Sequence, residues 1–209
     1  MRYRCNLRIC LAALTILATA LGSSALPALA AEASATLPDQ AVFAFGGRYV
    51  NAYIENSLVP FVANYEDNFV LGGGYQQFVL EPLPQLRLGL ELGVALRGGA
   101  GIVSGEAWGG AVARYDGFHL GENLRVSPSI TVGLSTITNP VGVEADRART
   151  LNADPTLLFF MAPELSMATL DNPDTEYFIR LQHRSGAWGT LGGMSDGANA
   201  QVLGVRHHF

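Results

Sequence analysis

Residues 85–97, QLRLGLELGVALR, alternate without a break. Leu86, Leu88, Leu90, Leu92, Val94 and Leu96 fall on one face of an extended chain, and Arg87, Gly89, Glu91, Gly93, Ala95 and Arg97 on the other. A period of two marks a strand with two different environments. The unbroken aliphatic row needs a dry surrounding, while the three charges opposite would be costly in a soluble core. A barrel with lipid outside and a polar lumen inside suits both rows. Residues 176–185, EYFIRLQHRS, repeat the pattern, with Tyr177, Ile179 and Leu181 on one face and Phe178, Arg180, Gln182 and Arg184 on the other, wet face.

Eight segments of this kind are predicted: Ala41–Val50, Asn68–Val79, Gln85–Arg97, Glu106–Tyr115, Leu124–Thr138, Leu157–Leu170, Glu176–Ser185 and Asn199–Phe209. Short connections at 81–84, 117–123 and 171–175 alternate with longer ones at 51–67, a loop or a loop with part of a strand, and at 98–105, 139–156 and 186–198. The 139–156 stretch reads as a polar loop. Outer-membrane barrels alternate short periplasmic turns with long external loops. The chain ends in Phe209, preceded at intervals of two by His207, Val205 and Leu203, which resembles an outer-membrane assembly signal. The predicted fold is all-β, an eight-stranded antiparallel transmembrane β-barrel. A barrel of this size is filled by side chains, which disfavours a diffusion pore. Arg87, Arg97, Arg114, Arg125, Arg180, Arg184 and Arg206 should meet Glu91, Glu106 and Glu164 in the lumen. Trp108 and Trp188 are expected in interfacial aromatic belts.

The N-terminus carries Arg2, Arg4 and Arg8, an apolar run over 9–22 and Ala28-Leu29-Ala30. This is the pattern of a cleaved secretory signal peptide, residues 1–30, ahead of a barrel domain over 31–209. Residues 31–38 read as a lead-in. Cys5 and Cys10 both lie in the signal, so the mature chain holds no disulfide or thiolate metal site. Past the signal there are 10 arginines against 18 acidic residues and no lysine, a net charge of −8. Without a basic cluster, nucleic acid is not expected as a partner. Gly72-Gly73-Gly74 opens no helix and is not a phosphate loop. His207 and His208 point to opposite faces. No cofactor and no metal are expected.

His183 and Ser185 continue the apolar row of the seventh strand, at its outer end. A serine becomes a nucleophile when a base within hydrogen-bond reach takes its proton, and a third group should orient the imidazole. Asn199 begins the last strand on the same face as His183, and Asp196 lies nearby on the preceding loop. The alternative is that His183 is an interfacial polar residue and Ser185 a loop-edge residue. Glu164 should point into the lumen, toward Arg180 or Arg184.

His183-Arg184-Ser185 on the penultimate strand, a glycine-rich loop, and a last strand ending Arg-His-His-Phe together resemble the lipid A 3-O-deacylase family (PagL type) over residues 176–209. The resemblance implies an eight-stranded outer-membrane barrel that hydrolyses the 3-linked acyl ester of lipid A, with His183 as base and Ser185 as nucleophile. Lipid A, or lipopolysaccharide, is then the partner and the bacterial outer membrane the location. Two positions depart from the family pattern: Gly186 stands where the family has asparagine, and Asn199 where it has an acid. The other reading is a non-catalytic outer-membrane barrel, structural or surface-binding.

Overall fold

The computed structural model describes residues 37–59, 64–99 and 101–209. The signal peptide expected over 1–30 lies outside them. The strands are β1 (Gln40–Val50), β2 (Tyr65–Leu83), β3 (Leu86–Gly99), β4 (Ile102–Tyr115), β5 (Phe118–Leu120), β6 (Leu124–Ile137), β7 (Leu157–Thr169), β8 (Thr175–Ser185) and β9 (Asn199–His208). Two helices, α1 (Ile54–Ser57) and α2 (Gly142–Leu151), lie in connections at the end of the barrel where β8 terminates. Each long strand pairs antiparallel with its neighbour, β1 pairs with β9, and β4 pairs with β6. That last pairing closes the ring, so eight strands form a barrel and the short β5 extends one hairpin from β6. Closure leaves no strand edge to satisfy in an apolar surrounding.

The two rows of β3 separate as their chemistry demands. Leu90, Leu92, Val94 and Leu96 are each 60% or more exposed on the outside, while Arg87, Glu91 and Arg97 are buried within. Val132, Leu134, Leu203 and Val205 continue the exposed aliphatic surface on other strands. This inside-out distribution is that of a transmembrane barrel, whose apolar band is roughly 25 Å tall.

The lumen is packed rather than open. Arg180 makes hydrogen bonds of 2.9 Å with each oxygen of Glu91 and one of 2.7 Å with Glu164. Arg206 holds both oxygens of Glu164 at 2.7 and 2.9 Å. Glu176 gathers Arg114, Arg125 and Arg206. Glu91 also accepts from Gln76, Trp108 and Thr131. All ten charged residues expected inside are buried, and Glu164 pairs with Arg180 and Arg206, not with Arg184. Phe43, Phe45, Trp108, Phe160 and Phe178 form an aromatic layer beside them, so the wet interior expected there is largely side chains. Trp108 is only 4% exposed and belongs to this layer, not to an interfacial belt; it shares the parity of Glu106 and Arg114 on β4. Trp188 is 83% exposed on the loop before β9.

Three connections differ from expectation. β2 continues through Pro82 to Leu83, its register slipping between Phe78 and Leu80 and again between Leu80 and Leu83. Such irregularities absorb a residue without an N–H. β3 runs to Gly99 and β4 begins at Ile102, so most of the loop expected over 98–105 is strand, with Gly101 at φ +82. The 139–156 stretch holds α2, which sends Glu144 into the mouth of the lumen to meet Arg97 at 2.6 Å and Arg184.

Candidate active site

The β8–β9 ladder pairs His183 directly with Asn199, so the two side chains project together on the outer face. His183 Nδ1 lies 2.7 Å from Asn199 Oδ1. The amide's orientation is fixed independently, because Asn199 Nδ2 donates to the carbonyl of Ala52 at 2.8 Å. Oδ1 can only accept, so Nδ1 carries the proton and Nε2 is left with the lone pair. That is the tautomer a general base needs.

The outer wall is not bare here. The segment over 51–59, containing α1, folds down against β9: Gln201 Nε2 donates to the carbonyls of Ser57 and Val59 at 2.8 and 3.0 Å, and Tyr65 bonds Gln201 Oε1. His183 is therefore 8% exposed and Asn199 1%, although both face outward. The sequence places His183 on the open lipid face; the first loop covers it instead. Below the covered histidine, a groove of about 350 Å³ runs between α1 and the wall, lined chiefly by Leu58, Pro163, Leu165, Ile179 and Leu181.

Ser185 ends β8 two residues beyond His183 and is half-buried. Its Oγ donates to Ser195 O at 3.2 Å and accepts from Ala187 N at 3.1 Å. Among the described residues no hydrogen bond joins Ser185 to His183. Gly186 follows because the loop folds tightly onto it: a Cβ there would sit 2.0 Å from Met194 O. Ala187 and Trp188 then take left-handed backbone conformations, φ 49 and 58, which non-glycine residues adopt only at a cost.

Asp196 on the same loop is buried, with Oδ1 3.8 Å from His183 Nδ1 and Oδ2 3.1 Å from Arg147 Nη1. Burial pushes its carboxyl up, while Arg147 and His183 draw it back down. Arg147 of α2 also donates to Gly197 O at 2.7 Å and lies over the Tyr53 ring. It thereby ties three external segments together above the histidine. The sequence gives no sign of this arginine's place, since the polar stretch holding it shows no helical periodicity. Among the described residues no group of three His, Asp or Glu side chains is placed to hold a metal ion.

No family model and no curated protein matches the chain. Solved structures that share its fold include two outer-membrane barrels. The outer membrane enzyme PagL has 14% sequence identity and a TM-score of 0.51, over 80% of this chain and 98% of PagL. Neisserial surface protein A, NspA, has 10% identity and a TM-score of 0.51, over 83% of this chain and 99% of NspA. At these identities the likeness is one of fold, the eight-stranded outer-membrane barrel, which an enzyme and a surface protein have in common.

Proposed function

We propose that this protein is an outer-membrane esterase that removes the 3-linked acyl chain from lipid A, reaching the outer membrane by way of the signal peptide at 1–30. The observation that carries the reading is the His183–Asn199 bond, which fixes the imidazole with Nε2 as its basic nitrogen, on the outward side of the wall beneath the segment over 51–59. Ser185 lies on the same face of the same strand. A rotation about its Cα–Cβ bond frees Oγ from Ser195. Oγ then bonds to the ester carbonyl carbon as its proton passes to Nε2. The carbon–oxygen bond to the sugar breaks, and Nε2 returns the proton to the departing alkoxide. Water repeats the sequence on the acyl-serine and releases the fatty acid. The groove beneath α1, which reaches Leu181 two residues before His183, offers an apolar bed for one acyl chain.

The test is the mass of lipid A from cells that carry the gene, lack it, or carry Ser185→Ala. Loss of one 3-hydroxyacyl chain, dependent on Ser185, supports the esterase. Unchanged lipid A in cells where the folded barrel is present removes it. A second reading, a non-catalytic surface-binding barrel, draws on one observation: Ser185 Oγ is held by two loop contacts and none to His183.

A further inference from the structure

We propose that Asp196 supplies the negative charge that balances the His183 imidazolium, with Asn199 serving only to orient the ring; the inference rests on the esterase reading. A base that takes a serine proton becomes a cation in a site from which water is largely excluded. An amide fixes its tautomer but offers no net charge. Asn199 is such an amide, and its second group is already committed to Ala52.

Asp196 is placed to do what Asn199 cannot. It is 7% exposed, on the loop that leads directly into Asn199. Its Oδ2 pairs with Arg147 at 3.1 Å, while its Oδ1 is turned toward the His183 ring at 3.8 Å. A buried carboxylate has to be offset by nearby cations or donors. Three charged or titratable groups bear on it: Arg147 from α2 at 3.1 Å, His183 from β8 at 3.8 Å, and Glu55 from α1 through the field. Arg147 engages Oδ2 and Gly197 O with the same Nη1, which leaves Oδ1 on the His183 side. The carboxylate is thus shared between a permanent cation on one side and a transient one on the other. The Nδ1 edge of His183 faces both Asn199 Oδ1 and Asp196 Oδ1, at 2.7 and 3.8 Å. At 3.8 Å the carboxylate acts on the charged ring through its field, while Nδ1–H stays on Asn199.

Asp196 touches no reacting atom, so it is a positioning residue, and its test needs a readout beyond activity. The full-length protein is folded in detergent micelles with labelled histidine, and the His183 ring signal, assigned by loss in His183→Asn, is followed against pH. Asp196→Asn should move its midpoint by at least about half a pH unit, and Asp196→Glu should restore most of the change. On purified lipid A, Asp196→Asn should lower kcat about tenfold with KM within about twofold. Heat-dependent electrophoretic mobility reports whether each barrel is folded. If Asp196→Asn does not fold, Arg147→Met serves instead and must move the midpoint in the opposite sense to the loss of the carboxylate. An unmoved midpoint in a folded variant overturns the proposal, whatever the activity. A wild-type protein that releases no fatty acid overturns the esterase reading and leaves the charge coupling to the titration alone.

Discussion

Glu91 on β3 and Arg180 on β8, 89 residues apart in the chain, meet across the lumen through two hydrogen bonds of 2.9 Å. Both side chains are fully enclosed, and Arg180 carries on to Glu164, which carries on to Arg206. The pair therefore joins opposite parts of the wall. Removing one partner leaves an uncompensated buried charge, which costs about 3–5 kcal/mol. Glu91→Ala should lose stability of that size in chemical unfolding from lipid vesicles. Because the pair is shielded from solvent, the loss should change little between low and high salt. A loss below about 1 kcal/mol would show that Glu164 alone satisfies Arg180.

The outer wall makes the opposite prediction. Leu92 is 62% exposed near the middle of β3. On a water-facing surface, Leu92→Arg would change stability by less than about 0.5 kcal/mol. In a bilayer the same change costs about 2–4 kcal/mol at the midplane. Unfolding of Leu92→Arg from vesicles should show the larger figure, and Leu83→Arg, at the end of β2, a smaller one. Equal and negligible effects at both positions would remove the barrel from the membrane.

What the sequence discloses about this molecule follows from period two. The Leu86–Leu96 row and the charges opposite it could be assigned because each residue's face is set by parity alone, and the register of β8 with β9 then brought Asn199 to His183. Trp108 was legible on the same rule, since it alternates with Glu106, but its residue type pointed to the interface. What parity cannot reach is contact between segments far apart. Nothing in residues 139–156 marks α2, whose first turn has no side-chain cap. Glu144 enters the lumen only because Arg97 and Arg184 wait there. The fold of residues 51–59 over His183 depends on Gln201 and Asn199 as donors to its backbone carbonyls, a long-range match invisible in either stretch alone.

Gly93 shows how tightly the aromatic layer is fitted. A Cβ at this position would lie 2.1 Å from the Trp108 ring, which donates to Glu91 at 2.9 Å. Gly93→Ala must displace the indole or the strand, at about 1–3 kcal/mol. The indole emission should shift at the same time, since its hydrogen bond is strained or broken. A variant of wild-type stability and unchanged emission would place Trp108 elsewhere.

Asn199 makes two bonds, and two substitutions separate them. Asn199→Ala removes both the acceptor for His183 Nδ1 and the donor to Ala52 O. The ring is then free to turn and to take either tautomer, so kcat should fall on the order of a hundredfold. Asn199→Asp keeps an acceptor for Nδ1 and adds charge, but turns a carboxylate oxygen on the Ala52 carbonyl. Repulsion there should loosen the segment over 51–59 that covers His183 and forms one side of the groove. The expected result is a kcat equal to or above wild type with a raised KM, and faster amide hydrogen exchange at residues 52–58. A hundredfold loss of kcat in both variants would mean that the bond to Ala52, not the one to His183, is what the site requires of residue 199.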